Sequence, residues 1–149
     1  MTRWLLHPRL TLLVRLTLGL TFILAALPKI VDPPSLAKTI WAYQLVPAPA
    51  LNPMALVLPW LELSCGLALV AGTWVRAAAL WVGALLLAFS LALAVNLAQH
   101  RPIDCGCFGT ARPRTDAERL TDMRWDLLRD LGLLLLVAQV LVATAPRKP

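Results

Sequence analysis

The residues of this chain best equipped for chemistry are Cys105 and Cys107, separated only by Gly106 in the run Asp104-Cys105-Gly106-Cys107-Phe108-Gly109. The intervening glycine permits the backbone angles that turn two neighbouring sulfurs toward each other. A disulfide across so short a gap closes a small ring, and strained disulfides are more oxidising than relaxed structural ones. The pair therefore suits thiol–disulfide exchange, with Arg101, Arg112 or Arg129 placed to favour the thiolate. Two other readings stand beside it. The cysteines could clamp a turn, although so short a loop contributes little entropy, or they could join His100 in a copper or zinc site.

Glu62 and Cys65 form a second candidate group, three residues apart inside an apolar run. An acid within such a run is costly unless paired or functional. It could move protons for the cysteine chemistry or hold a polar ligand, or it could form a structural ion pair with Lys29 or Arg129. At 1.5 Å per residue Glu62 stands roughly 12 Å along its helix, with Cys65 one turn deeper. Cys65 reads either as a small packing residue or as a thiol that resolves a mixed disulfide.

The elements that must position these residues are apolar throughout. Of 149 residues, 59% are hydrophobic and 15% charged, with mean hydropathy +0.72, a composition that excludes an ordinary water-soluble domain. A spanning helix needs roughly 20 apolar residues, and four windows meet that length: about 10–31, 54–72, 74–97 and 125–144. The expected fold is all-α, an integral membrane four-helix bundle forming a single domain over residues 1–149. The break Gly72-Thr73-Trp74-Val75-Arg76 makes the middle two spans a tight antiparallel hairpin. Between the first two, Leu36, Ile40, Trp41 and Leu45 predict a short interfacial helix that starts near Ser35 and is stopped by Pro47 and Pro49. Residues 100–124 read as a loop that carries the cysteines and then a charged stretch.

The first apolar run is longer than a signal-peptide core, and Leu27-Pro28-Lys29 is a poor cleavage site, so the run is retained as a helix. Its basic N-terminal flank, Arg3 and Arg9, favours cytoplasmic termini in the bacterial inner membrane. The cysteine loop then lies outside, where disulfides persist. The net charge of +6 is scattered beside the apolar runs and suits anionic lipid headgroups, with no nucleic-acid role expected. Most of the six tryptophans fall near span ends, as interfacial belts require. Gly19 with Ala25 and Gly66 with Ala71 offer small-residue faces on which a membrane subunit or second copy could pack.

Taken together, these residues resemble the MauE branch of the DoxX-like four-helix membrane proteins, a family named for methylamine utilisation. The resemblance covers nearly the whole chain. It rests on Arg15, Leu18-Gly19, Phe22 and Lys29; on Tyr43 to Pro47; on Pro59, Glu62, Gly66 and Leu69; on Asp104 to Gly109; and on Trp125 with Arg129. It implies a membrane oxidoreductase component that cycles Cys105 and Cys107 with a periplasmic thioredoxin-like partner, supports disulfide formation or maturation in an exported enzyme, and draws on a quinone. In that scheme Glu62 handles protons, and Lys29 or Arg129 balances its charge. The resemblance gives Cys65 no clear catalytic role, and Asp130 stands where an amide is expected. The competing functions are copper or zinc binding or transport through His100, Cys105 and Cys107, and non-catalytic assembly of an exported enzyme.

Overall fold

The computed structural model describes residues 7–103 and 115–145. Its described residues form five helices and no strand: α1 (Pro8–Val31), α2 (Pro33–Ala42), α3 (Ala48–Ala71), α4 (Val75–Ala98) and α5 (Asp116–Ala143). Local chemistry sets most of their ends. His7 caps α1 by accepting from the Arg9 N–H. Asp32 ends α1 and starts α2, donating its N–H to the Pro28 carbonyl while its side chain accepts from the Ser35 N–H. Pro33 and Pro34 occupy first-turn positions where a missing N–H leaves no bond unmade. Gly72, at φ 79°, closes α3 in the left-handed conformation that glycine adopts without penalty.

Two boundaries differ from expectation. Pro47 and Pro49 do not stop the interfacial helix, which ends at Ala42; they begin α3, which therefore starts at Ala48 and carries Pro53 and Pro59 within it. The charged stretch expected as loop is the first part of α5. Thr115 and Glu118 form a reciprocal capping box, each side chain accepting from the other residue's backbone N–H, and this fixes the start of α5 at Asp116.

The helices pack in a cycle, α1 on α3, α3 on α4, α4 on α5 and α5 on α1, with α2 laid against α3. Along the first pair, Arg15 meets Gly72, Gly19 meets Gly66 and Lys29 meets Glu62, so α3 descends as α1 ascends. The Gly19 and Gly66 backbones touch: a Cβ built on either would lie 2.8 Å from the other's carbonyl oxygen. Val14, Leu18, Phe22, Leu69, Val82 and Val140 fill the core beside this contact.

Outside that core the surface is unusually greasy. Leu13, Leu24, Val57, Leu67, Leu87, Leu91 and Leu135 are all exposed, while Lys29, Glu62, Asn96 and Asp130 are buried. Polar groups inside and leucines outside is the arrangement hydrocarbon solvent selects. Three helices, Pro8–Val31, Ala48–Ala71 and Val75–Ala98, are long and apolar enough to cross a bilayer. The chain is a multi-pass membrane protein.

Gly66→Leu should drive a side chain into the α1 backbone and destabilise the fold by about 3 kcal/mol. Gly132, which has nothing within 4 Å of an added Cβ, should accept Gly132→Ala with a gain of up to about 1 kcal/mol. Detergent or thermal unfolding midpoints of the two variants check the contrast, and equal tolerance would contradict the backbone contact.

Candidate functional site

Charged side chains converge between α1, α3 and α5. Lys29, in the last turn of α1, is 8% exposed and Glu62, in mid-α3, is 2% exposed; the Lys29 Nζ donates to both Glu62 carboxylate oxygens at 2.8 Å. Pro28, one residue earlier, breaks no continuity in α1, which runs to Val31. The ammonium also lies 5.4 Å from the centre of the Phe89 ring on α4, close enough for a cation–π attraction that is stronger away from water. The structure thus brings Lys29 and Glu62 together in the ion-pair geometry that was one of the two readings of Glu62.

The third contribution comes from α5. Arg129 donates to Asp130 Oδ1 from Nε at 3.2 Å and from Nη2 at 2.9 Å, and its Nη1 lies 2.8 Å from Asp126 Oδ1. Asp130 is 5% exposed. A small cavity of about 50 Å³ lies between the two ion-pair groups and is bordered by Lys29, Glu62, Arg129 and Asp130 together with Phe22 and Phe89. Two cationic and three carboxyl side chains therefore share one polar region, where each charge offsets the desolvation of its neighbours. Asp130, unexpected at its position from the resemblance, is the carboxylate that joins Arg129 to this region.

A larger cavity of about 230 Å³ adjoins Lys29 and Asp130 and extends toward α2, with Ile40, Tyr43, Phe89 and Leu93 in its wall. Asn96 secures this side of the bundle by donating from Nδ2 to the Tyr43 carbonyl at 3.3 Å and to the Ala92 carbonyl at 3.0 Å. Sequence reasoning missed Phe89 and the cavity role of Tyr43. Phe89 carries one signal: it and Trp81 are the only aromatics of α4, and Phe89 sits away from the helix start, where an interfacial belt residue would be.

The remaining candidates lie elsewhere. Cys65 is a free, buried thiol within the apolar core that holds Leu18, Phe22 and Leu69. His100 is exposed just beyond α4 in a left-handed conformation, φ 52°. Cys105 and Cys107 lie outside the described residues, as does the metal set they would complete with His100. Among the described residues no group of three or more His, Cys, Asp or Glu side chains could hold a metal ion. The described chain approaches the cysteine segment through Ile103, which is buried with Leu93 and Met123 at the end of the bundle that carries Tyr43.

Breaking the buried pair from one side should be expensive. Lys29→Met or Glu62→Leu alone should each cost about 3–5 kcal/mol, because an uncompensated charge stays in the bundle, whereas the double replacement should recover most of that loss. Unfolding midpoints of the three variants check this, and additive losses would show that the two residues do not act as a pair.

A family model described as Methylamine utilisation protein MauE matches residues 7–144. Proteins carrying the name Methylamine utilization protein MauE are similar to the chain. That of Methylophilus methylotrophus is 37% identical over 101 residues, covering 67% of this chain and 53% of the relative. That of Methylorubrum extorquens is 39% identical over 103 residues, covering 68% and 55%. That of Paracoccus denitrificans is 36% identical over 109 residues, covering 72% and 59%. The chain thus spans little more than half the length of these curated relatives. No solved structure matches. With a family model covering nearly every described residue and relatives above one-third identity, the chain belongs to the methylamine utilisation protein MauE family.

Proposed function

We propose that this protein is the membrane component of a thiol–disulfide exchange pathway that supports maturation of an exported enzyme, in keeping with the methylamine utilisation named by its relatives. The observation that carries the reading is the Cys105-Gly106-Cys107 pair, held on a chain whose described flanks are fixed at one end of the bundle. Ile103 is buried on one side, and the Thr115–Glu118 capping box closes the other.

In the oxidising direction, a thiolate of a thioredoxin-like partner attacks one sulfur of the Cys105–Cys107 disulfide and forms a mixed disulfide. The partner's second thiolate then attacks that bond, leaving the partner oxidised and Cys105 and Cys107 as the dithiol. The site carries no soluble redox domain among its described residues, so the partner is a separate protein or segment.

We also infer that α5 crosses the bilayer as a fourth span. Its outward residues Trp125, Leu128, Leu131, Leu135 and Val142 are exposed and cover about 26 Å of helix, close to a hydrocarbon thickness. Its charges, Asp126, Arg129 and Asp130, pair with one another rather than with solvent. Four crossings put both ends of the described chain on one side of the inner membrane. The basic flank of α1 favours the cytoplasm for that side, which leaves the cysteine segment outside.

Cys105→Ser and Cys107→Ser should each abolish disulfide transfer to or from a thioredoxin-like partner. One of the two should trap a mixed disulfide that non-reducing gels resolve. Undiminished transfer in both variants would overturn the function proposed here.

A further inference from the structure

We infer that the cavity of about 230 Å³ lined from all five helices binds the ring of a lipid-soluble quinone, with Lys29 and Asp130 as its polar end. The choice of a quinone rests on the thiol-exchange reading, which requires a membrane-soluble acceptor of two electrons, but the cavity itself contains no cysteine.

Size comes first. An engineered apolar void of roughly 150 Å³ holds benzene, so 230 Å³ admits one substituted ring, and the cavity is not closed, so that an attached tail can leave it. The wall is mostly apolar, and Phe89 and Tyr43 supply aromatic surface against which a flat ring can lie.

Charge then selects the head group. Lys29 has three N–H donors. Glu62 takes two of them, and among the described residues no hydrogen-bond acceptor takes the third. Two cationic side chains, Lys29 and Arg129, already face three carboxyl groups, Glu62, Asp126 and Asp130. Among the described residues this leaves no positive charge to neutralise a carboxylate or phosphate head, and a cationic head, although the extra carboxyl would attract it, offers no acceptor to the ammonium. A neutral carbonyl oxygen satisfies the remaining donor without adding charge.

Asp130 suits the reduced form. Both hydrogen bonds it receives from Arg129 end on Oδ1, which leaves Oδ2 to accept from a ligand hydroxyl. The oxidised ring thus accepts from Lys29 Nζ, and the reduced ring donates to Asp130 Oδ2. The chemistry balances: the Cys105–Cys107 dithiol loses two electrons and two protons in forming its disulfide, and the quinone takes up both to become the quinol.

The test uses the full chain in lipid nanodiscs and a short-tailed azidobenzoquinone, photolysed and mapped by mass spectrometry. Labels should concentrate on peptides holding Tyr43, Phe89 and Leu93. An unlabelled benzoquinone with the same tail should displace them, and a carbonyl-free cyclohexane with that tail should not. Ala92→Phe, which fills the cavity, should lower labelling at least tenfold. Labels spread over the outward leucines Leu87 and Leu91, or displaced equally by the cyclohexane, would overturn the site whether or not the filled variant folds. Labelling at the site with thiols that never exchange would retain the site and sink the redox reading, whereas exchanging thiols with no labelling would sink the site alone.

Discussion

The Lys29–Glu62 ion pair is the constraint around which the rest of the protein is arranged. Either charge alone inside a bilayer would be prohibitive, so the pair requires α1 and α3 to stay in one register. The Gly19–Gly66 contact holds the same two helices at close approach, and in that register the lysine at the end of one reaches the acid in the middle of the other, with both carboxylate oxygens at 2.8 Å. The pair then shapes what lies beside it. Phe89 packs against the ammonium, α5 brings Arg129 with its two aspartates to the same region, and Lys29 borders both cavities.

The surface follows the inverse logic of a soluble bundle. Leucines point outward on all four long helices, and the few buried polar side chains, Lys29, Glu62, Ser90, Asn96 and Asp130, sit inside among the apolar core residues. In lipid the outward leucines supply no driving force for association, so packing rests on close backbone approach and on polar groups that find no partner in hydrocarbon. This is why a glycine contact and an ion pair matter at the α1–α3 interface alongside the apolar cluster of Val14, Leu18, Phe22 and Leu69. The last three charged residues of α5 follow the same logic: Asp126 and Asp130 both bind Arg129, so that these side chains satisfy one another while Leu128, Leu131 and Leu135 face outward.

Much of this was legible in the sequence. Apolar run length located three of the long helices to within a few residues at most ends, and the break at Gly72-Thr73-Trp74-Val75-Arg76 located the turn between α3 and α4. The α3 start was not legible, because Pro47 and Pro49 read as a stop when they are the N-cap and a first-turn residue of the next helix. The start of α5 was hidden by its charge: a hydropathy window reports only the bilayer-length part, while the Thr115–Glu118 box signals the helix proper. At the site, burial cost pointed to Glu62 and offered Lys29 as its partner, but no periodicity reveals that Phe89 and Tyr43 border one cavity, since Tyr43 follows α2 and Phe89 lies on α4, with all of α3 between them. Cys105 and Cys107 remain readable from sequence alone, lying outside the described residues.

In the function proposed above, the polar cluster and the apolar cavity that Lys29 and Asp130 both border would carry electrons and protons between the thiol pair and the lipid phase. The account stands on those two thiols cycling. The most direct measurement is the redox state of Cys105 and Cys107 in native membranes, read by differential alkylation and mass spectrometry before and after a mild reductant. A Cys105–Cys107 disulfide that forms, is reduced and reforms when the reductant is removed is the predicted result. Two thiols that stay reduced throughout would contradict the account.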